Sequence, residues 1–109
     1  MVVIGGGSTA MDAARVSKRL GAESVQIVYR RTRAEMPANE MEIHEAKQEG
    51  VIMDLLVAPT RVVIKDGRFV GLECLRMELG EPDASGRRSP KPVRGSEFIV
   101  ECDYVISAI

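Results

Sequence analysis

Near the start of the chain, Gly5-x-Gly7-x-x-Ala10 with Gly6 between the first two has the spacing by which a backbone holds a diphosphate. Gly5 permits a sharp reversal out of a strand, where φ can be positive. Gly7 has no Cβ, so a phosphate can approach the main chain. Ala10 is small enough for a helix to lie tightly on a sheet. Ser8 and Thr9 open that helix. The free N–H groups of its first turn, with the positive end of its dipole (roughly half an elementary charge), face the phosphates. Arg30-Arg31-x-Arg33 follows, about 20 positions on, where a dinucleotide site places the residue that selects the ribose. An acid there would accept bonds from ribose hydroxyls, whereas a guanidinium binds a 2′-phosphate in a bidentate, charge-assisted way. At about 1.5–3 kcal/mol per contact, two such contacts would favour NADPH over NADH by roughly two to three decades. The bland alternative is a solvated basic loop, and the distance from the glycine turn favours the phosphate.

A strand–turn–helix unit has to position these groups. Val2, Val3 and Ile4 form a short buried strand, and a helix runs from Ser8 or Thr9 to Leu20. Its small residues Ala10, Ala14, Ser17 and Gly21 share one face, with Gly21 as the terminating glycine. Arg15, Lys18 and Arg19 fall on solvated faces, and Asp12 belongs to the first turn, where the dipole favours a carboxylate. Residues 25–29 make a second strand. Asn39 caps a helix that ends near Glu49 at Gly50, with Glu40, Glu42, Glu45 and Glu49 as its solvated acidic face. Met36, Met41, Met53 and Met77 pack in the core or under loops. Residues 51–57 make a third strand. After Pro59 the pattern changes to a hairpin of residues 61–64 and 68–79 around a type I′ Asp66-Gly67 turn. Residues 80–96 read as a mobile polar loop, followed by strands at 98–100 and 104–109. The fold class is α/β: a Rossmann-like three-layer domain with a short parallel sheet, in which a three-stranded antiparallel β-meander replaces the next crossover helix.

The 109 residues suffice for one domain, and 45% apolar with 28% charged residues is a globular composition. A net charge of −1 gives no reason for a nucleic-acid or membrane partner. No apolar run approaches the ~20 residues of a spanning helix, so the expected location is cytoplasmic. Cys74 and Cys102 form no Cys-x-x-Cys and read as buried or half-buried strand residues, not a redox dithiol or zinc site. His44 is the single histidine and reads as a surface residue. Metal-ligand spacing, a P-loop lysine, a nucleophile elbow and a catalytic carboxylate pair are all missing, so no metal ligand and no catalytic residue is assigned. In hydride transfer the cofactors carry the chemistry. The chain starts almost on its first strand and stops within an apolar run, which suggests a segment of a longer polypeptide.

The run Val3-Ile4-Gly5-Gly6-Gly7-x-Thr9-Ala10-Met11-Asp12-Ala13-Ala14-Arg15, then Ile27-Val28-Tyr29-Arg30-Arg31 with Glu35-Met36-Pro37-Ala38, resembles the NADPH-binding domain of glutamate synthase small subunits. The segments Glu73-Cys74-Leu75-Arg76-Met77-Glu78-Leu79-Gly80-Glu81-Pro82-Asp83 and Gly95-Ser96-Glu97-Phe98 are similar as well, so the resemblance covers essentially the whole chain. Dihydropyrimidine dehydrogenase and, more distantly, thioredoxin reductase share the plan. The resemblance implies that residues 1–109 are an NADPH-binding domain inserted into an FAD-binding domain of the same polypeptide. NADPH passes hydride to the flavin, and in glutamate synthases electrons continue through iron–sulfur clusters, with a glutamate synthase large subunit as partner. It implies that Gly5, Gly7, Ser8, Thr9 and Ala10 line the pyrophosphate and that Arg30 and Arg31 hold the 2′-phosphate. Gly6, Tyr29 and Arg33 complete the candidate cofactor-binding set. Ser8 departs from the family's usual Asn, and Val105-Ile106-Ser107-Ala108-Ile109 lacks the glycine that follows in the family, which implies a pocket open on that side. With no second dinucleotide fingerprint, the chain alone is expected not to oxidise NADPH. A stand-alone dinucleotide sensor or scaffold remains the alternative, and an FAD- or NAD-binding domain would want an acid where Arg30 stands.

Overall fold

The computed structural model describes residues 1–86 and 88–108. Its centre is β1 (Val2–Ile4), too short and too apolar to be anything but an interior strand. Strands β2 (Gln26–Tyr29), β3 (Ile52–Leu55) and β8 (Val105–Ser107) join it in a parallel sheet of order β3-β2-β1-β8. Side chains alternate across this sheet. Val3 and Ile27 pack beneath the helices, whereas Val2 and Val28 face a second, antiparallel sheet with Val57, Leu72 and Cys74. The three expected layers are therefore helices, parallel sheet and antiparallel sheet. The final strand closes at Ser107, and the end expected for it, Ile109, lies outside the described residues.

Helix α1 (Ser8–Arg19) buries Ala10, Met11 and Ala14. The small-residue face missed Met11, which is wholly buried and stabilises by about 1.5–3 kcal/mol through burial alone. Helix α2 (Glu40–Gln48) buries Ile43 and Ala46 and leaves Met41 70% exposed, so that methionine is not core packing. Both helices stop in the same way. The chain turns left-handed at Gly21 (φ 106°) and Gly50 (φ 93°). The amides of Gly21 and Ala22 return to the carbonyls of Lys18 and Ser17, and those of Gly50 and Val51 to Lys47 and Ala46, at 3.0–3.2 Å.

The charged faces are not simply solvated. Arg15 binds Glu45 at 2.9 Å and Glu49 at 2.5 Å, and Arg19 binds Glu49 at 2.7 Å, clamping α1 to α2. Hydrogen bonds from Arg15 and Arg19 pull the Glu49 carboxyl below its ordinary pKa. Asp12 also departs from expectation: the first turn of α1 holds no acidic residue, and Asp12 lies exposed beyond it.

The third strand ends earlier than its apolar run suggests. Leu56 takes φ 57° and turns the chain out of the parallel sheet into β4 (Val57–Lys65). Its amide donates to Arg31 O at 3.1 Å and its carbonyl accepts from Met77 N at 2.8 Å, which holds this unfavourable conformation in place. Strand β4 pairs with β5 (Arg68–Pro82) across Asp66 (φ 52°) and Gly67 (φ 75°), the positive pair of a type I′ turn. The expected polar loop instead contains β6 (Arg88–Pro92), which pairs with β5 through Met77–Pro92 and Leu79–Pro90. An outer strand tolerates prolines because it need not donate on its free side. Then β7 (Phe98–Glu101) pairs with β5, completing the meander of β4, β5 and β7 with one strand more than expected. Cys74 in β5 is buried and Cys102 half-buried, both free. Burial first, then the Cys102 thiol, pushes the Cys74 pKa up to about 11, so it stays a neutral packing group.

Candidate functional site

The turn between β1 and α1 is made of three glycines with three different duties. Gly5 sits at φ 139°, and a Cβ on it would lie 2.7 Å from Ala108 O, because β8 runs directly alongside. Gly5 N donates to Val28 O (3.1 Å) and Ala108 N to Ile4 O (2.8 Å), which fixes the turn to both neighbouring strands. A Cβ on Gly6 would strike the Tyr29 ring at 2.7 Å. That ring is held by its hydroxyl, which donates to Glu35 O at 3.0 Å, and Ala38 N donates to Gly6 O at 3.1 Å. Gly7 is the extended N-cap of α1 (φ −94°, ψ −176°), and the nearest atom to an added Cβ is Pro37 Cβ at 3.9 Å. Nothing in the protein itself requires a glycine there.

No side chain caps the N-terminus of α1. Ser8 turns its hydroxyl to Glu42 Oε1 (3.1 Å), and Thr9 is exposed. The amides of this first turn are thus left without a protein acceptor where a diphosphate would accept from them.

Around this turn opens a cleft of about 510 Å³ at the carboxyl ends of β1 and β2. Gly5, Gly6, Gly7, Ser8 and Thr9 line it together with Tyr29, Arg30 and Arg31. Pro37 and the apolar start of β4, Val57, Ala58 and Pro59, complete the walls together with Ala108. The charged groups among the described lining residues are the two arginines, and the Glu42 carboxylate stands behind the lining at the Ser8 hydroxyl. These residues fit a dinucleotide phosphate: unclaimed helix amides, room over Gly7 and two cations in one cleft. Position at the carboxyl ends of the strands is where open α/β sheets take ligands.

Two sequence candidates stand apart from the cleft. Ala10 is wholly buried between α1 and the sheet, 3.4 Å from the Cβ position of Gly5, so its smallness serves packing. Arg33 opens an exposed 3₁₀ turn (Arg33–Glu35) and does not line the cleft. Thr32 caps that turn: its hydroxyl and its amide donate to Glu35 and, with Arg88 and Arg31 nearby, hold the Glu35 carboxyl below its ordinary pKa. Sequence reasoning missed the apolar wall from β4, for which the only cue was Pro59. A larger groove of about 930 Å³ lies at the other end of the strands, between Met1, Ala22 and Asp103. It carries Glu23, Glu101 and Asp103 against Lys65 and the Met1 ammonium, which disfavours a phosphate. Among the described residues no three metal-ligating side chains cluster, His44 is exposed, and no helix is long and apolar enough to cross a membrane.

The chain is 57% identical over 110 residues to the NADPH-Fe(3+) oxidoreductase subunit beta of Geobacter sulfurreducens, covering 100% of this chain and 16% of that protein. It is 45% identical over 109 residues to the glutamate synthase [NADPH] small chain of Escherichia coli, covering 99% of this chain and 23% of the relative. The chain therefore spans about a quarter or less of the length of these relatives. Mycobacterium tuberculosis FprA, solved in complex with NADPH, superposes with a TM-score of 0.81 at 18% identity over 99% of this chain and 38% of its own, which shows a shared fold. Residues 1–109 match the family described as pyridine nucleotide-disulphide oxidoreductase, and the chain belongs to that family.

Proposed function

We propose that residues 1–109 are the NADPH-docking domain of a larger flavin-dependent oxidoreductase. The observation that carries this is the cleft, which the uncapped start of α1 shares with Arg30 and Arg31 and which has no carboxylate among its described lining residues. The first-turn amides of α1 with Gly7 hold the diphosphate. Arg30 and Arg31 hold the 2′-phosphate. The Tyr29 ring keeps the glycine turn in shape, and Val57, Ala58 and Pro59 exclude water from the far wall. NADPH held there would supply a hydride to the flavin of an FAD-binding domain in the same polypeptide, and any iron–sulfur clusters would belong to other parts of that parent protein. The relatives' names and their greater length support this reading over a stand-alone sensor or scaffold.

Calorimetry on the intact protein with 2′,5′-ADP and 5′-AMP tests the assignment. The account expects 2′,5′-ADP to bind more tightly by roughly two to three decades, an advantage abolished in Arg30→Ala/Arg31→Ala. Equal affinities for the two analogues in the unaltered protein would overturn it.

A further inference from the structure

We infer that the β5–β6 hairpin is part of the anion site: the main-chain carbonyl of Arg88 holds Arg31 by its Nε and leaves the two terminal nitrogens of that guanidinium for a phosphate monoester. The inference rests on the assignment of Arg31 given above and deepens it. Arg31 Nε donates to Arg88 O at 3.1 Å, across 57 residues of sequence. Its terminal nitrogens have no hydrogen-bond or ion-pair partner among the described residues. A guanidinium is a rigid planar fork, so fixing one edge decides which edge is offered to a ligand. Engaging Nε leaves the pair of terminal groups that grips a phosphate in bidentate fashion. It also removes rotamer freedom before the ligand arrives.

The hairpin is braced for this. Arg88 folds its own side chain back, Nε donating to Gly80 O and Nη2 to Leu79 O, both at 3.3 Å. At the tip, Ser85 N (2.9 Å) and Ser85 Oγ (2.6 Å) donate to Asp83 Oδ1, and Gly86 N donates to Asp83 O at 2.9 Å. Glu35, an acid that feels the Arg31 charge, is engaged by Thr32. Arg30, by contrast, is exposed and makes no comparable bond among the described residues. One arginine is aimed by the hairpin, and the other is free to follow the ligand.

A thermodynamic cycle in the intact protein tests this. Replacing residues 82–89 with Gly-Gly is expected to weaken 2′,5′-ADP about tenfold or more, the worth of one charge-assisted bond, and to leave 5′-AMP unchanged. Arg31→Ala is expected to weaken 2′,5′-ADP far less in the shortened background than in the full hairpin, while Arg30→Ala weakens it equally in both. Arg88→Ala, which removes the braces and keeps the carbonyl, is expected to weaken 2′,5′-ADP about twofold. Unchanged 2′,5′-ADP binding in the shortened variant, equal losses for both analogues, or an Arg31 effect that simply adds to that of the hairpin would each overturn the inference. If Arg30→Ala and Arg31→Ala both leave 2′,5′-ADP binding intact, the arginine assignment falls, and this inference with it.

Discussion

The two helices of this domain end alike and begin differently. At their C-termini both use a left-handed glycine, the same pair of returning amides and a basic last turn. At its N-terminus α2 is sealed: Asn39 Oδ1 accepts from Glu42 N at 2.8 Å, Glu42 Oε1 accepts from Asn39 N at 3.1 Å, and Glu40 and Glu42 sit in the first turn. Helix α1 has Gly7 as its cap residue, no capping side chain and no acid in the first turn. A protein that caps one helix so fully and leaves its neighbour open has kept those amides for something else. Their position in a cleft with two arginines supports the proposal that this is an anion.

The comparison is broken most severely at Gly5. Gly5→Ala sets a Cβ 2.7 Å from Ala108 O at a φ that only glycine adopts with ease, so the turn cannot hold its shape. We expect a loss of about 3 kcal/mol or more, read as a fall in thermal midpoint of roughly 10 °C, before any ligand is added.

Capping α1 like α2 sharpens the contrast with a smaller effect. Gly7→Asp has room, with Pro37 Cβ at 3.9 Å as the nearest atom. It is expected to raise stability by a few tenths of a kcal/mol and to weaken NADPH at least tenfold, because the new carboxylate takes the amides and repels the diphosphate. Asn39→Ala should do the reverse, lowering stability by about 1 kcal/mol with NADPH affinity unchanged. Thermal unfolding alongside NADPH titration of both variants reads the two effects separately.

The smallest expected effect concerns the clamp that joins the two helices. The folded pKa of Glu49 lies below its unfolded value because Arg15 and Arg19 bond its ionised form. That contribution is complete at neutral pH and is lost as pH falls through the unfolded carboxylate value toward the folded one. Unfolding followed against pH should therefore show a shallower acid decline in Glu49→Gln than in the unaltered protein.

Much of this was legible in the residues themselves. Gly21, Gly50, Asn39 and Asp66-Gly67 each mark their turn by chemistry that operates within a few residues. Gly5 and the Arg30-Arg31 pair likewise declare themselves by local spacing. What stayed hidden depends on contacts distant in sequence. Leu56 turns left-handed inside an apolar run because Arg31 and Met77 hold it from either side, and no glycine announces it. Strand β6 looks like a loop because Pro90 and Pro92 speak against a strand, yet β5 supplies its partner. Arg15, Arg19, Glu45 and Glu49 are solvated when each helix is read alone and become a clamp only when the helices meet. Arg33 shares the charge of Arg30 and Arg31, but the Thr32 cap carries it off along a 3₁₀ turn.

The most direct test of the central claim is a crystal of the intact protein soaked with NADPH. The account predicts diphosphate oxygens within hydrogen-bond distance of the first-turn amides of α1, and the 2′-phosphate between the guanidinium groups of Arg30 and Arg31. A coenzyme seated at the N-terminus of α2 or in the groove beside Met1 and Asp103, or both arginines turned away from it, would contradict the account.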